Sequence, residues 1–254
     1  MGKITAFVNQ KGGVGKTTVC VNLAACLAGR GKKVLVVDVD PQGNATASVG
    51  CKKNDAPFSV YDVILGGTAA ENAVVKTPVK GLFLLPSSID LVGAEVELVY
   101  LKNYEKRLIS RINGLKNDYD FIFIDCPPSL GILTLNALAA ADGIITPALC
   151  EYFSLLDLGR LTNTVKIVKN KINPALTADG VIINMYDGRS LLSREIYGEI
   201  RAHFGEKVFD TVIPKNVKIS ESPGFGVPVT LHDNRSRGAL AFETLAEEFL
   251  AKCN

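Results

Sequence analysis

Two apolar patterns alternate along the chain. Residues 4–8, 33–38, 121–125 and 143–147 are near-continuous apolar runs, the pattern of parallel strands covered on both faces. Segments 17–29, 154–171, 191–204 and 238–251 instead carry apolar residues at helical spacing. On the first of these, Val21, Ala24, Ala25 and Leu27 mark a buried side, and Gly29-Arg30-Gly31 ends it. Shorter strands are predicted at 82–86, 180–185 and 208–213, a helical piece at 60–65, and one or two helices within 90–112. The rest of 51–81 reads as polar and irregular, without recognisable chemistry. Strand and helix in alternation predict an α/β fold: a mainly parallel, twisted sheet with helices on both faces, in three αβα layers.

The chain has no Pro/Ser-rich linker, low-complexity tract or repeat, so one domain over 1–254 is expected. No apolar run reaches the roughly eighteen residues a membrane span needs, and residues 1–3 lead into the first strand without a secretory signal. The six cysteines show no Cys-x-x-Cys pairing and no neighbouring histidine cluster, which argues against zinc and against a secreted disulfide framework. They read as reduced cytoplasmic thiols. A net charge of +2 is too small to announce a nucleic-acid binder by itself. Two local groups stand out: Arg160, Lys166, Lys169 and Lys171; and Lys215 and Lys218 with Arg235 and Arg237. A solvated helix face is the ordinary meaning of such a group.

The chemistry concentrates in Gln10-Lys11-Gly12-Gly13-Val14-Gly15-Lys16-Thr17-Thr18, between the first strand and the first helix. Glycines let backbone N–H groups close around an anion, and the helix N-terminus adds partial positive charge. Lys16 is placed to reach β/γ-phosphates and Thr17 to bind Mg²⁺. The strict phosphate-loop pattern fails at Gln10, where it requires glycine, and a second lysine, Lys11, enters instead. Strand 33–38 delivers Asp38, Asp40 and the turn 41–44 to the carboxyl end of the sheet, where ligands sit in such folds. Strand 121–125 delivers Asp125 into a loop stiffened by Pro127 and Pro128, a carboxylate suited to a hard cation. Asn184 and Pro214 end two late strands on that same side; Asn184 either offers its amide to a base or simply terminates its strand.

These residues resemble the ParA/Soj partition ATPases, within the MinD-like group of P-loop proteins. Residues 11–18 match that family's deviant Walker A motif, 37–44 its switch I, and 124–129 its Walker B and switch II. Segments 150–153, 185–189 and 212–217 are similar to the chromosomal Soj-like branch. The resemblance implies a P-loop ATPase that takes ATP/ADP and Mg²⁺. Gly12, Gly13, Val14, Gly15, Lys16, Thr17 and Thr18 would bind nucleotide, with Asn184 and Pro214 at the base. Thr17 and Asp125 would serve Mg²⁺, with Asp38 near the metal, and Asp40 would orient the attacking water. Lys11 would reach the phosphates of a partner subunit's nucleotide, so that ATP drives homodimer formation. The dimer would bind double-stranded DNA without sequence preference through Arg189, Lys215, Lys218, Arg235 and Arg237, and a ParB-type partner would stimulate slow hydrolysis. Chromosome or plasmid segregation follows, in a cytoplasmic protein that joins the nucleoid when ATP-bound.

The same switch could position another cargo, such as a chemoreceptor array or a microcompartment. A MinD-like membrane role fits less well: MinD proteins end in a basic amphipathic helix, whereas 239–250 carries Glu243, Glu247 and Glu248. No helix-turn-helix segment precedes residue 1, so operator-specific repression is not expected. Leu149, Leu156-Asp157 and the segment 222–228 depart from the family pattern and bear on DNA binding and on the stimulating partner.

Overall fold

A computed structural model describes residues 1–51 and 56–253, so part of the irregular stretch at 51–81 lies outside the described residues. Its strands are β1 (Lys3–Phe7), β2 (Val34–Asp38), β3 (Val75–Lys76), β4 (Leu82–Leu85), β5 (Phe121–Asp125), β6 (Gly143–Ala148) and β7 (Thr177–Ile183). They form one sheet in the order β3-β4-β2-β5-β1-β6-β7, parallel throughout except for the short edge strand β3. The helices are α1 (Lys16–Gly29), α2 (Asn44–Ser48), α3 (Val60–Leu65), α4 (Ala70–Ala73), α5 (Leu91–Glu97), α6 (Arg107–Ile112), α7 (Ile132–Ala140), α8 (Ser154–Lys171), α9 (Leu191–Phe204), α10 (Val217–Glu221), α11 (Val229–His232) and α12 (Arg237–Cys253).

Every residue of β2, β5 and β6 is buried, which is why these strands read as unbroken apolar runs rather than alternating ones. Successive side chains still point to opposite faces. Phe7, Val34, Val36, Phe121 and Phe123 pack under α1 and α12, while Ile4, Leu35, Val37, Ile122 and Ile124 pack under α3, α5, α6 and α7. Phe123 anchors the first layer, with ring centroids 5.0 Å from Phe7 and 5.6 Å from Phe249. Truncating such a ring costs about 3–5 kcal/mol in a typical core.

The structure departs from the sequence reading in three places. Helix α1 is buried on nearly every side, Val19 to Ala28 included, because the sheet lies beneath it and α2, α11 and α12 enclose it. Residues 208–213 do not form a strand: Val208 and Pro214 make only isolated bridges, to Val181 and Tyr186. Phe209 N–H and Ile213 N–H donate to Val181 and Ile183 C=O, but between them Asp210 N–H and Thr211 N–H donate to the Glu248 carboxylate, at 2.7 and 2.8 Å, so no continuous ladder forms. Pro214 therefore does not end a strand, although its bridge to Tyr186 keeps it beside the end of β7. Helices α2, α4, α7, α10 and α11 and the edge strand β3 have no counterpart in the pattern, being short or, for α7, nearly apolar all round.

The two strands on one side of β1, β5 and then β2, matter for the site. In register, Phe7 lies opposite Asp125 on β5, and Asp125 lies opposite Asp38 on β2. The chain leaving β1 thus forms its glycine-rich loop directly above two buried carboxylates.

Candidate functional site

Gly13 and Gly15 adopt left-handed backbone, φ 75° and 87°. The turn at Gly15 also passes so close to Asn184 that a Cβ there would sit 2.1 Å from its Nδ2. That amide, 2% exposed, donates to Val14 C=O at 2.8 Å. From the other side Asn9 Nδ2 donates to Pro147 C=O at 2.8 Å, and Lys11 N–H donates to Asn9 Oδ1 at 3.0 Å. The loop is clamped between the ends of β6 and β7 and runs into the uncapped N-terminus of α1, the kind of place that receives phosphate.

Lys16, only 7% exposed, folds back with Nζ 3.5 Å from Lys11 C=O. Burial pulls its ammonium below the usual lysine value, with the Asp125 charge the largest opposing influence. Thr17 Oγ1 donates to Asp125 Oδ2 at 2.6 Å, while Asp125 Oδ1 is buried with no hydrogen-bond partner. Burial first and the Asp38 charge second push the Asp125 carboxyl well above the carboxylate range. The cluster thus sets three carboxylates, Asp38, Asp40 and Asp125, against one ammonium.

A divalent cation would correct that imbalance. The orphaned Asp125 oxygen and the Thr17 hydroxyl are hard oxygen donors of the kind Mg²⁺ takes. Among the described residues no group of three or more His, Cys, Asp or Glu is arranged to cage a metal. A cation here would depend on phosphate oxygens and water for its remaining ligands, as Mg²⁺ usually does.

Asp38 is engaged otherwise. Its Oδ2 accepts from Thr46 N–H (2.8 Å) and Thr46 Oγ1 (2.7 Å), and its Oδ1 accepts from Asp40 N–H (3.2 Å). Burial raises its pKa to about 6 against these hydrogen bonds. Both oxygens therefore hold the loop from β2 to α2, and that loop presents Asp40. Asp40 Oδ1 accepts from Gln42 N–H at 2.9 Å, and Ser87 Oγ donates to Asp40 C=O at 2.5 Å. Thr46, Ser87 and Asn9 have no role in the sequence reading; Thr46 and Ser87 brace the Asp38–Asp40 segment and Asn9 the glycine-rich loop it precedes.

Lys11 lies outside the cradle. Its Nζ is 2.5 Å from Glu151 Oε2, at a site where both side chains are solvent-exposed to a third or more. Glu151 falls within segment 150–153, which resembled the Soj-like branch without suggesting a role for this residue.

The basic candidates form a run rather than one cluster. Arg189 projects into solvent with its side chain 94% exposed, and its Nε donates to Asp187 Oδ1 at 3.1 Å. The Arg189 hydrogen bonds hold the Asp187 carboxyl below its ordinary value, with smaller help from the Lys215 charge, so Lys215 stands by the same carboxylate. Lys218 pairs with Glu221 at 2.9 Å on α10. Gly238 packs so tightly on Ile219 and Asn216 that α12 starts beside α10, bringing exposed Arg235 and Arg237 next to this segment. The apolar face of α12 is spent on the core through Phe242, Leu245, Ala246 and Phe249. Of its acids, Glu243 and Glu247 pair with Arg30, and Glu248 holds 210–211. Among the described residues no helix is long and apolar enough to cross a membrane.

A family model described as an AAA domain matches residues 2–178. Over 251 residues the chain is 48% identical to the sporulation initiation inhibitor protein Soj of Bacillus subtilis (strain 168), covering 99% of each. It is 48% identical over 252 residues to the chromosome-partitioning ATPase Soj of Treponema pallidum (strain Nichols), covering 99% of this chain and 98% of that one. Among solved structures it is similar to cobyrinic acid a,c-diamide synthase from Mycobacterium smegmatis with bound ADP and magnesium. That match has TM-score 0.86 and 36% identity, over 98% of this chain and 94% of the other.

Proposed function

The chain belongs to the ParA/Soj family of partition ATPases, and from that premise we propose that its 254 residues act as one ATP-driven switch for DNA partition. The observation that carries the reading is the division of labour between two lysines. Lys16 is buried over the carboxylates, whereas Lys11 stands exposed at the rim on Glu151. One lysine serves the nucleotide of its own subunit. The other is free to serve a second subunit, because an exposed ion pair such as Lys11–Glu151 resists exchange by only about 0–1 kcal/mol. ATP then joins two copies, since the triphosphate charge is fully offset only when both contribute.

Within each subunit the loop N–H groups and Lys16 bind phosphate, and Asn184 with Pro214 borders the base. Thr17 and Asp125 would hold Mg²⁺, which supplies positive charge across the phosphate oxygens. Asp38 acts as a positioning residue for the Asp40 loop, and Asp40, its carboxylate fixed by Gln42 N–H, orients the attacking water. The dimer doubles the basic run of Arg189, Lys215, Lys218, Arg235 and Arg237, so that DNA is held through its phosphates without regard to sequence. A ParB-type centromere-binding partner speeds hydrolysis, which separates the dimer and releases DNA. The protein is therefore nucleoid-associated with ATP and dispersed in the cytoplasm without it. Burial of the apolar face of α12 supports DNA over membrane as the surface it visits.

Binding of plain duplex DNA, compared in ATP, ADP and no nucleotide while salt is titrated, decides the matter. Retention in ATP alone, weakening steeply with salt, is expected. Equal binding in all three states, or none in ATP at low salt, would overturn the proposal.

A further inference from the structure

The lysines of α8 do not enter the reading above, yet they border a cavity. Between α8, α9 and the strands β6 and β7 lies a space of about 420 Å³. Its walls are mostly apolar, with Leu161, Val165, Leu176 and Phe204 among them, and Thr146, Thr162 and His203 add polar groups. The floor is open because of a β-bulge. Ile144 pairs with Ala178 but Ile145 with Gly180, so Asp179 is the unopposed extra residue. The bulge bends the edge strand, and on this face it presents only the methyl of Ala178 before Val181. Asp179 itself is paired with Lys3 at 2.8 Å.

Lys166 and Lys169, adjacent on one face of α8, line this cavity together with Lys207. Among the described residues no carboxylate lines it, and none of these three lysines makes an ion pair. An apolar chamber with an uncompensated cationic rim is complementary to an amphiphile of opposite charge. Its volume suits a small molecule, within the range of about 300–1,000 Å³ typical of ligand pockets. The site is separate from the phosphate loop: Lys166 lies roughly 18 Å along α8 from Ser154, at 1.5 Å per residue.

We propose that this cavity binds a single-chain amphiphile with an anionic head, the aliphatic tail among Leu161, Val165 and Phe204 and the head on Lys166, Lys169 and Lys207. The site is independent of the nucleotide reading, and its occupancy does not require ATP.

Calorimetric titration of the full chain with sodium dodecanoate, below its micelle concentration, provides the test. Dodecyltrimethylammonium serves as the cationic counterpart. Saturable one-to-one binding of dodecanoate and none of the cation are expected. Lys166→Gln with Lys169→Gln should weaken binding about tenfold or more through loss of charge-assisted contacts. Ala178→Leu, which fills the floor, should weaken it at least as much, while ATP hydrolysis by both variants stays at the wild-type rate and reports that they are folded. Absence of saturable binding, equal binding of the cation, or wild-type affinity in the double lysine variant would each overturn the proposal.

Discussion

Replacing Gly15 by alanine probes how the phosphate loop is held. The residue sits at φ 87°, ψ 35°, and left-handed backbone costs an alanine roughly 1–2 kcal/mol. The new Cβ would also lie 2.1 Å from Asn184 Nδ2. Asn184 is only 2% exposed, so its amide has little room to swing aside and must abandon Val14 C=O. Leaving buried polar groups unpaired costs about 1–3 kcal/mol. Gly15→Ala should therefore destabilise the chain by about 2–5 kcal/mol and lower nucleotide affinity. Asn184→Ala, which loses the hydrogen bond without the strain, should cost about 1–3 kcal/mol. Combined, the two share that one loss, and removal of the amide relieves the clash. The double variant should then be more stable than the sum of the singles by about 1–3 kcal/mol, a coupling measurable by urea unfolding of all four proteins. Additive effects, within about 0.5 kcal/mol, would refute the clamp.

Asp40→Ala should retain ATP binding but slow turnover at least about a hundredfold, the scale of losing a positioned catalytic group, while DNA-bound protein accumulates; normal turnover would assign Asp40 another role. Glu248→Ala removes the acceptor of Asp210 N–H and Thr211 N–H, which water then solvates in part, so unfolding should require about 0.5–1.5 kcal/mol less, with Glu248→Gln in between. Arg189→Ala should flatten the slope of log affinity against log salt by about one per subunit, and weaken binding similarly on unrelated DNA sequences.

The architecture was legible because parallel strands buried on both faces must be apolar at every position, as Phe121 to Asp125 nearly is. The bounds 60–65, 154–171 and 191–204 coincide with α3, α8 and α9, whose amphipathic spacing is set by one-sided burial. The stretch at 208–213 has the same strand-like composition. Its ladder is interrupted where two N–H groups turn to Glu248, far along the chain, which no local pattern reveals. For the site, Lys16 and Thr17 stand out in the sequence because the loop motif is contiguous, and Asp125 because it ends an apolar strand; in the structure Thr17 Oγ1 donates to Asp125 Oδ2 at 2.6 Å. The family resemblance sets Asp38 near the metal; its engagement by Thr46 becomes visible only once α2 folds back over β2. The sequence leaves Asn184 as either a contact for the base or the end of its strand; in the structure its amide braces Val14, because Gly15 has no side chain to keep it away.

The central claim is that Lys11 makes the nucleotide a signal for pairing two chains, and sedimentation velocity with ATP and Mg²⁺ addresses it directly. The wild-type chain should run as a dimer in ATP and as a monomer in ADP. Lys11→Ala should still bind ATP, since Lys16 and the loop backbone are intact, yet remain monomeric. A Lys11→Ala protein that dimerises on ATP as the wild type does would contradict the account.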